Sequence, residues 1–512
     1  MFDADTRPVQ ASEPAPTATP SPTPLTDRRE RLAFAGLIVV FVVSRVIYYA
    51  LGVRFYSAGE LQYMPQILAP DLLRHHLLQS IWYLHAQPPL FNLMIGAVLK
   101  WSPLAQGFTF QVIFFLTGLA LMLGLYDLAR QLTLGRRTAF VLAVVVGCAP
   151  AVVMWENVLN YDYFVAAFLV WIADATARWV RGGNAGALAA VSALGAATVL
   201  LRSLMHPVFY VLLLAILLLL RPPRWTRRVV AAIAIPALLV GGVMLKNEII
   251  FGSPELSNWL GYNLRLIAIS SLPDHVQADL RARGVIKAPD FPPPCKVSHP
   301  DVPALAQEWK TGVAGQVYNE NWDCMRKFRA DLVSDSVAAA KAEPGWLLRT
   351  TIGSAETWAA PSELYWETAQ NERKIDGIDR AYRTVVMGDV HWSPPVDPRV
   401  VPWAEVFLKP DKHWHLSITI VVATLLAIGG GVVALVRFRR HRTPALAAYI
   451  MGAFIVLFAD VVSIVLSHNE NARLRFIAEP LTLVLALAAV VEGARWYSAR
   501  RARTSQVAAA AE

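Results

Sequence analysis

Between Phe55 and Leu99 the chain carries Glu60, Asp71, His75, His76, His85 and Gln87. They follow the first apolar run directly and precede a short apolar stretch opened by Pro88-Pro89-Leu90. A carboxylate at the edge of a membrane bundle can work as a general base, because partial burial lifts its pKa toward the working pH. Glu60 is the candidate for that role, and a solvated loop acid is the competing reading. Asp71 stands at the head of the helical stretch Leu72–Tyr83 and would cap it. The spacing of His75, His76 and His85 fits no specific metal site. His85 comes before two prolines that would fix the chain where it enters a helix, aiming His85 and Gln87 at one point as candidate groups for binding substrate or the lipid phosphate. A plain membrane-entry turn accounts for the same residues.

A second group sits at turns between apolar runs. Glu156 and Asp162 fall at the tip of a tight hairpin, where acids are costly and usually functional. They could orient an acceptor or hold a divalent cation such as Mg2+ or Mn2+; helix capping is the alternative for Asp162. Arg202 and His206 lie in a very short turn, and Arg475 precedes the last apolar run, with Arg265 and Arg473 as lesser candidates. An arginine in such a place can hold a phosphate through two parallel bonds. Snorkelling toward lipid headgroups is the competing explanation for each. Acids and cations gathered on one membrane face suit a reaction between a lipid-anchored phosphorylated donor and an acceptor outside the cytoplasm. They also suit a transporter vestibule, although no pair of matching halves with broken spans is visible.

The elements that would position these groups follow from composition. The chain has 512 residues, 55% of them hydrophobic and 17% charged. A soluble domain has about 25% charged residues. With a mean hydropathy of +0.42 this is an all-α polytopic membrane protein. The net charge of +9 comes from arginines clustered at the ends of apolar runs, which reads as an orientation signal and not as nucleic-acid binding. Residues 1–27 are rich in Pro, Ala, Ser and Thr and are expected to form a disordered cytoplasmic tail.

The first span covers residues 32–51; further spans are expected near 106–126, 139–156, 160–177, 186–202, 204–220, 229–246, 416–436, 443–466 and 476–494. That makes about ten, within a range of 9–12. The arginines at 130–137, 178–181, 221–228, 437–442 and 495–503 all fall on the cytoplasmic side if the first span runs outward and 54–105 makes no full crossing. The short Pro88–Leu99 helix is then re-entrant or interfacial. Both termini are cytoplasmic and every unusual polar group faces outward. The organisation is a tail at 1–27, a membrane module at 28–246 whose first outer loop is 54–105, an extracytoplasmic Trp-rich region at 247–415, a second membrane module at 416–494, and a cytoplasmic tail at 495–512.

The 247–415 region is mostly helical in expectation: an amphipathic piece at 258–265, a Pro-rich loop at 289–294, and helices over 303–345 and 364–387. Trp346, Trp358, Trp366, Trp392, Trp403 and Trp414 would help it cap the outer mouth of the bundle. Cys295 and Cys324 could pair there if the region faces an oxidising compartment, while Cys148 lies in an apolar run.

Three stretches together resemble the polytopic GT-C glycosyltransferases, especially the bacterial glycosyltransferase family 39-like membrane proteins. The first is Gly59-Glu60-Leu61-Gln62-Tyr63 followed by His85-Ala86-Gln87-Pro88-Pro89-Leu90-Phe91-Asn92. The second is Glu156-Asn157-Val158-Leu159-Asn160-Tyr161-Asp162-Tyr163, and the third runs from Glu470 to Pro480 through Arg473 and Arg475. The match is best over the first 220 and last 50 residues. The resemblance implies a GT-C-like bundle with juxtamembrane helices on the outer face of a bacterial cytoplasmic membrane. It implies sugar transfer, usually with inversion, from a polyprenyl-phosphate sugar donor to an extracytoplasmic glycan, lipid or protein acceptor. Glu60 would be the base, Arg202, His206 and Arg475 would meet the leaving phosphate, and Glu156 or Asp162 would orient the acceptor or a cation. Many members carry two acids in the first motif; here Ala58-Gly59 precede Glu60, and any metal requirement turns on that difference. The rival readings are a transporter of lipid-linked glycan or polysaccharide and a non-catalytic cell-envelope assembly protein. Membrane lipids are partners in all of them.

Overall fold

A computed structural model describes residues 28–313, 315–365, 367–392, 414–467 and 470–509. The expected tail at 1–27 lies outside the described residues, as do Trp366 and Trp403. Helix α1 (Arg28–Ala50) is followed by α2 (Ala58–Tyr63), α3 (Pro70–His75), α4 (Leu77–Trp82) and α5 (Pro89–Trp101). Then come α6 (Gln106–Gln131), α7 (Arg136–Gly147), α8 (Pro150–Glu156) and α9 (Asp162–Gly182). Helices α10 (Ala185–Leu201), α11 (Pro207–Leu220) and α12 (Arg227–Phe251) complete the first half. The insert contributes α13 (Trp259–Ala268), α14 (Asp274–Ala282), α15 (Pro303–Ala306), α16 (Asp323–Ala342), α17 (Pro344–Trp358) and α18 (Ala369–Tyr382). It ends with β1 (Asp389–Trp392), paired antiparallel with β2 (Trp414–Ser417). The chain closes with α19 (Ile418–Phe438), α20 (Pro444–Val465), α21 (Asn471–Phe476) and α22 (Glu479–Ala509).

Among the described residues seven helices are long and apolar enough to cross a membrane: α1, α6, α9, α12, α19, α20 and α22. Helices α7 and α8 form an eighth span bent by 56°. That is fewer than the expected ten: α10 and α11, with 17 and 14 residues, are apolar but shorter than the other spans. Side-chain contacts show that both run the length of the bundle. Arg202, after α10, pairs with Asp162 at the start of α9, while Arg221, after α11, donates to the Val180 carbonyl near the end of α9. At that second end Glu30 meets Arg130 and Arg136, so α1, α6 and α7 share it. Helix α5 stays at the first end: Asn92 holds Gln66 and Leu68, and Gln106 beyond it contacts Arg74 and the Leu99 carbonyl.

The bundle is organised around α9. Its apolar window is 78% buried, against 22–39% for α1, α6, α12, α19 and α22, and it packs on α6, α10, α20 and α22. Its alanines at 166, 167, 173, 175 and 177 let neighbouring backbones approach, the usual device where no water drives helices together. Gly118 of α6 serves the same purpose, because a Cβ there would overlap the Glu156 carboxylate and the Tyr163 hydroxyl.

Several sequence expectations need correction. Leu72–Tyr83 is not one helix: it breaks at His76 (φ −127°), and Asp71 makes no capping hydrogen bond but pairs with Arg74 at 3.8 Å. The span 303–345 is helical only in α15, α16 and the first residues of α17; between α15 and α16 lies an isolated Trp309–Tyr318 bridge beside Gly312 at φ +73°. A short strand pair, β1 with β2, lies in the region read as mostly helical. The insert does pack on the bundle end, with α17 against α20 and α21 and α18 against α8. Trp358 donates to Asp460 of α20 at 2.9 Å.

Cys295 and Cys324 form a disulfide across 29 residues, anchoring the Pro-rich loop to α16. Closing a loop of that length restricts the unfolded chain by roughly 3–4 kcal/mol on the chain-entropy account. Cys324→Ser in purified protein is therefore expected to lower the unfolding temperature and to speed proteolysis near residues 285–300 while the membrane helices stay protected; an unchanged digestion pattern would contradict the stapling role.

Candidate functional site

The ends of α9, α10 and α21 meet the 361–368 segment in one buried ion network. Asp162 accepts from Arg473 Nε at 2.9 Å and pairs with Arg202 through its other oxygen. Arg473 Nη1 reaches Glu470 at 3.2 Å and Glu367 at 3.6 Å, and Asn160 Nδ2 donates to Glu367 at 2.7 Å. Asp162, Arg202, Arg473 and Glu367 are almost fully buried. Charges removed from water this completely must be matched by opposite charges and hydrogen bonds, and here they are. Burial pushes the Glu367 carboxyl up, with Arg473 opposing. Three carboxylates hold the Arg473 guanidinium firmly charged. Arg202 differs: its Nη2 is buried without a hydrogen-bond partner among the described residues. It lines a crevice of about 60 Å³ with Gln66, Tyr161, Trp259, Glu470 and Arg473.

Glu60 comes to the same end of the bundle. The backbone of Tyr56 pairs with Asn157 and Leu159, so the first outer loop is tied to the α8–α9 turn. Six residues beyond Glu60, Gln66 lines the crevice, and its carbonyl accepts from Asn92 at 3.0 Å. Lys310, buried, donates to the Met64 carbonyl at 2.6 Å. Glu60 is 7% exposed and its Oε2 has no hydrogen-bond partner among the described residues. Burial first, and then the negative charge of Glu367, push this carboxyl up to about 7. A carboxylate prepared in this way can accept a proton near neutral pH.

The His-Ala-Gln-Pro-Pro-Leu-Phe-Asn stretch has a legible structural role. Asn321 Oδ1 accepts from the His85 and Ala86 backbone amides at 2.8 and 3.1 Å. His85 Nε2 meets the Asn321 carbonyl at 3.0 Å, and Nδ1 faces the Asn258 amide at 3.4 Å. Since a carbonyl only accepts, Nε2 carries the proton. Burial lowers His85 to about 3, so the ring is neutral and leaves no nitrogen for a phosphate. Gln87 is also buried, and neither atom of its amide has a partner among the described residues.

The other candidates separate from this cluster. Glu156 is enclosed by Arg45 (2.5 Å) and by the Tyr163 hydroxyl, which donates at 2.7 Å. Arg475 donates to the Ala360 carbonyl at 2.8 Å and pairs with Glu479; it does not line the crevice, although its Nε and Nη1 are unpartnered among the described residues. Arg265 binds Asp290 in the Pro-rich loop, and His206 is exposed and caps α11. Glu60, Glu156 and Asp162 do not converge as a cation donor set: arginines meet the charges of the latter two, and among the described residues no three metal-ligating side chains cluster.

Sequence reading missed Arg45, Glu367 and Asn321. Arg45 carried a usable signal, a guanidinium inside an apolar run. The others belong to the insert, where nothing in the sequence distinguishes them from loop residues.

No protein-family model matches the chain, and no curated protein matches it. Among solved structures it is similar to an oligosaccharyltransferase of Archaeoglobus fulgidus tethered to an acceptor peptide containing the NVT sequon. The TM-score is 0.36 at 10% identity, covering 90% of this chain and 50% of that one. The apo form of the same enzyme gives a TM-score of 0.32 at 12% identity, covering 91% and 52%. This chain thus spans about half the length of those structures, and likeness of that degree bears on neither fold nor activity.

Proposed function

We propose that this protein is a membrane glycosyltransferase of the GT-C type, moving a sugar from a polyprenyl-phosphate carrier to an acceptor at the bundle end where Glu60, Asp162, Arg202 and Arg473 gather. The observation that carries the reading is Glu60: a buried carboxylate, unpartnered at Oε2 among the described residues and raised to about 7, on the loop whose Gln66 lines a crevice with an unpaired guanidinium nitrogen. Glu60 takes the proton of the acceptor hydroxyl as its oxygen attacks the anomeric carbon. The bond from that carbon to the phosphate oxygen breaks, and polyprenyl phosphate leaves with the electron pair. Attack opposite the leaving group inverts the anomeric centre.

Arg202 Nη2 meets the charge growing on the phosphate, an interaction strongest in a site that excludes water. Asp162 pairs with Arg202 and, with Arg473 on its other oxygen, holds it in position. A crevice of about 60 Å³ accepts water-sized groups, so donor binding must widen it. The disulfide in the insert favours an oxidising, extracytoplasmic setting. The arginines at the opposite end favour a cytoplasmic setting for that end.

The test is purified protein offered a panel of polyprenyl-phosphate sugars. Release of polyprenyl phosphate that disappears in Glu60→Gln, with an unchanged unfolding profile, supports transfer. Tight donor binding without release supports the transport or assembly reading. Arg202→Gln is expected to cost about 10²–10³-fold in turnover, the usual loss for one oxyanion donor. A loss confined to KM would show that Arg202 binds donor and transition state alike.

A further inference from the structure

A second, wider cleft lies at the opposite end of the bundle and has no part in the proposed transfer. It measures about 1630 Å³ and opens between the ends of α6, α19, α20 and α22. Its walls are apolar, with Val433, Ala434, Leu446 and Ala489 among them. Its rim is basic: Arg130, Arg181, Arg437, Arg440 and Arg495, with Glu492 as the one acid. Three of these arginines are engaged, Arg130 by Glu30, Arg181 by Gln131 and Arg495 by Glu492. Arg437 and Arg440 make no side-chain hydrogen bond or ion pair among the described residues, and Arg130 Nε is buried and unpartnered.

Small residues line part of the cleft and let its helices approach one another. Gly430 lies against the Tyr449 hydroxyl, which is itself held by the Leu485 carbonyl at 2.9 Å. Ala488, Ala489 and Gly493 face the same space from α22. An apolar hollow of this size would be unfavourable against water. Beside the ends of membrane helices it has a ready occupant in an acyl chain. Two exposed guanidinium groups without a protein partner among the described residues stand at the mouth, and a phosphodiester at headgroup depth is the anion they would meet there. Basic pockets between membrane helices hold anionic lipid headgroups for this reason.

We infer that this cleft is a binding site for an anionic glycerophospholipid, with one acyl chain between α19, α20 and α22 and its phosphate under Arg437 and Arg440. The site is separate from the transfer site and stands whether or not the proposed chemistry is right.

The test is native mass spectrometry of the full chain titrated with phosphatidylglycerol or phosphatidylcholine. Retention of phosphatidylglycerol over phosphatidylcholine is expected. Arg437→Ala with Arg440→Ala should weaken it about 30-fold, at about fivefold for each arginine near an anionic headgroup. Arg439→Ala with Arg442→Ala removes the same charge from residues that do not line the cleft, and should change retention less than about twofold. Val433→Trp, which fills the wall and leaves the charge intact, should also reduce retention. Glycerol 3-phosphate should not compete. Equal losses in the two double variants would overturn the inference in favour of general surface charge. Equal retention of the two lipids, or full competition by glycerol 3-phosphate, would overturn it as well.

Discussion

Glu60→Gln is expected to lower sugar transfer by about 10²–10⁴-fold, the range a positioned general base contributes. The same change should leave the fold intact or firmer. The carboxyl is raised to about 7 from an ordinary 4.5 because burial disfavours its charge. The folded chain therefore holds this proton more tightly than the unfolded chain does. Stability must fall as pH climbs from about 4.5 through about 7, and Gln at the position removes that fall. A thermal unfolding series across this window compares the two proteins. Should Glu60→Gln unfold earlier than its parent at pH 8, the carboxylate is supporting the fold, and loss of activity would no longer report on catalysis.

Glu156→Leu carries the largest expected loss of stability. Arg45 reaches both oxygens of Glu156, and its Nη1 donates to the Gly147 carbonyl at 2.9 Å. Breaking a buried pair by deleting one partner costs about 3–5 kcal/mol, because the other charge stays behind in a dry site. Replacing both, Arg45→Met with Glu156→Leu, removes the orphaned charge and should recover most of that loss. Unfolding of the single and double variants in detergent measures the coupling. Equal losses in single and double would show that the pair does not hold α1 against α8.

How much of this was legible in the sequence divides along distance in the chain. Local and periodic features were plain: apolar runs gave the spans, and arginines at their ends gave a consistent order of crossings. Pro88-Pro89 marked the short helix that stays at one end. Groups such as Asp162, Arg202, Arg473 and Glu60 stood out because a charge beside an apolar run needs a reason. Their partners did not stand out. Asp162 meets Arg473 across 311 residues, and His85 meets Asn321 across 236. No local pattern encodes such a pairing. The insert was the least readable part. Its helices are half-buried and interrupted, and the weak periodicity over 303–345 concealed a loop and a bridge ahead of α16. His85 shows the same limit: its type suggested contact with substrate, and only the asparagines around it reveal a neutral strut.

The central claim is that Glu60 is the base of a transfer reaction. The pH dependence of kcat/KM for polyprenyl phosphate release, in the parent and in Glu60→Gln, tests it most directly. The parent should gain activity as pH rises, with a midpoint near 7, where the Glu60 carboxyl gives up its proton. The residual activity of Glu60→Gln should be flat across that midpoint. A parent profile with no limb near 7, or a Glu60→Gln profile that keeps it, would contradict the account.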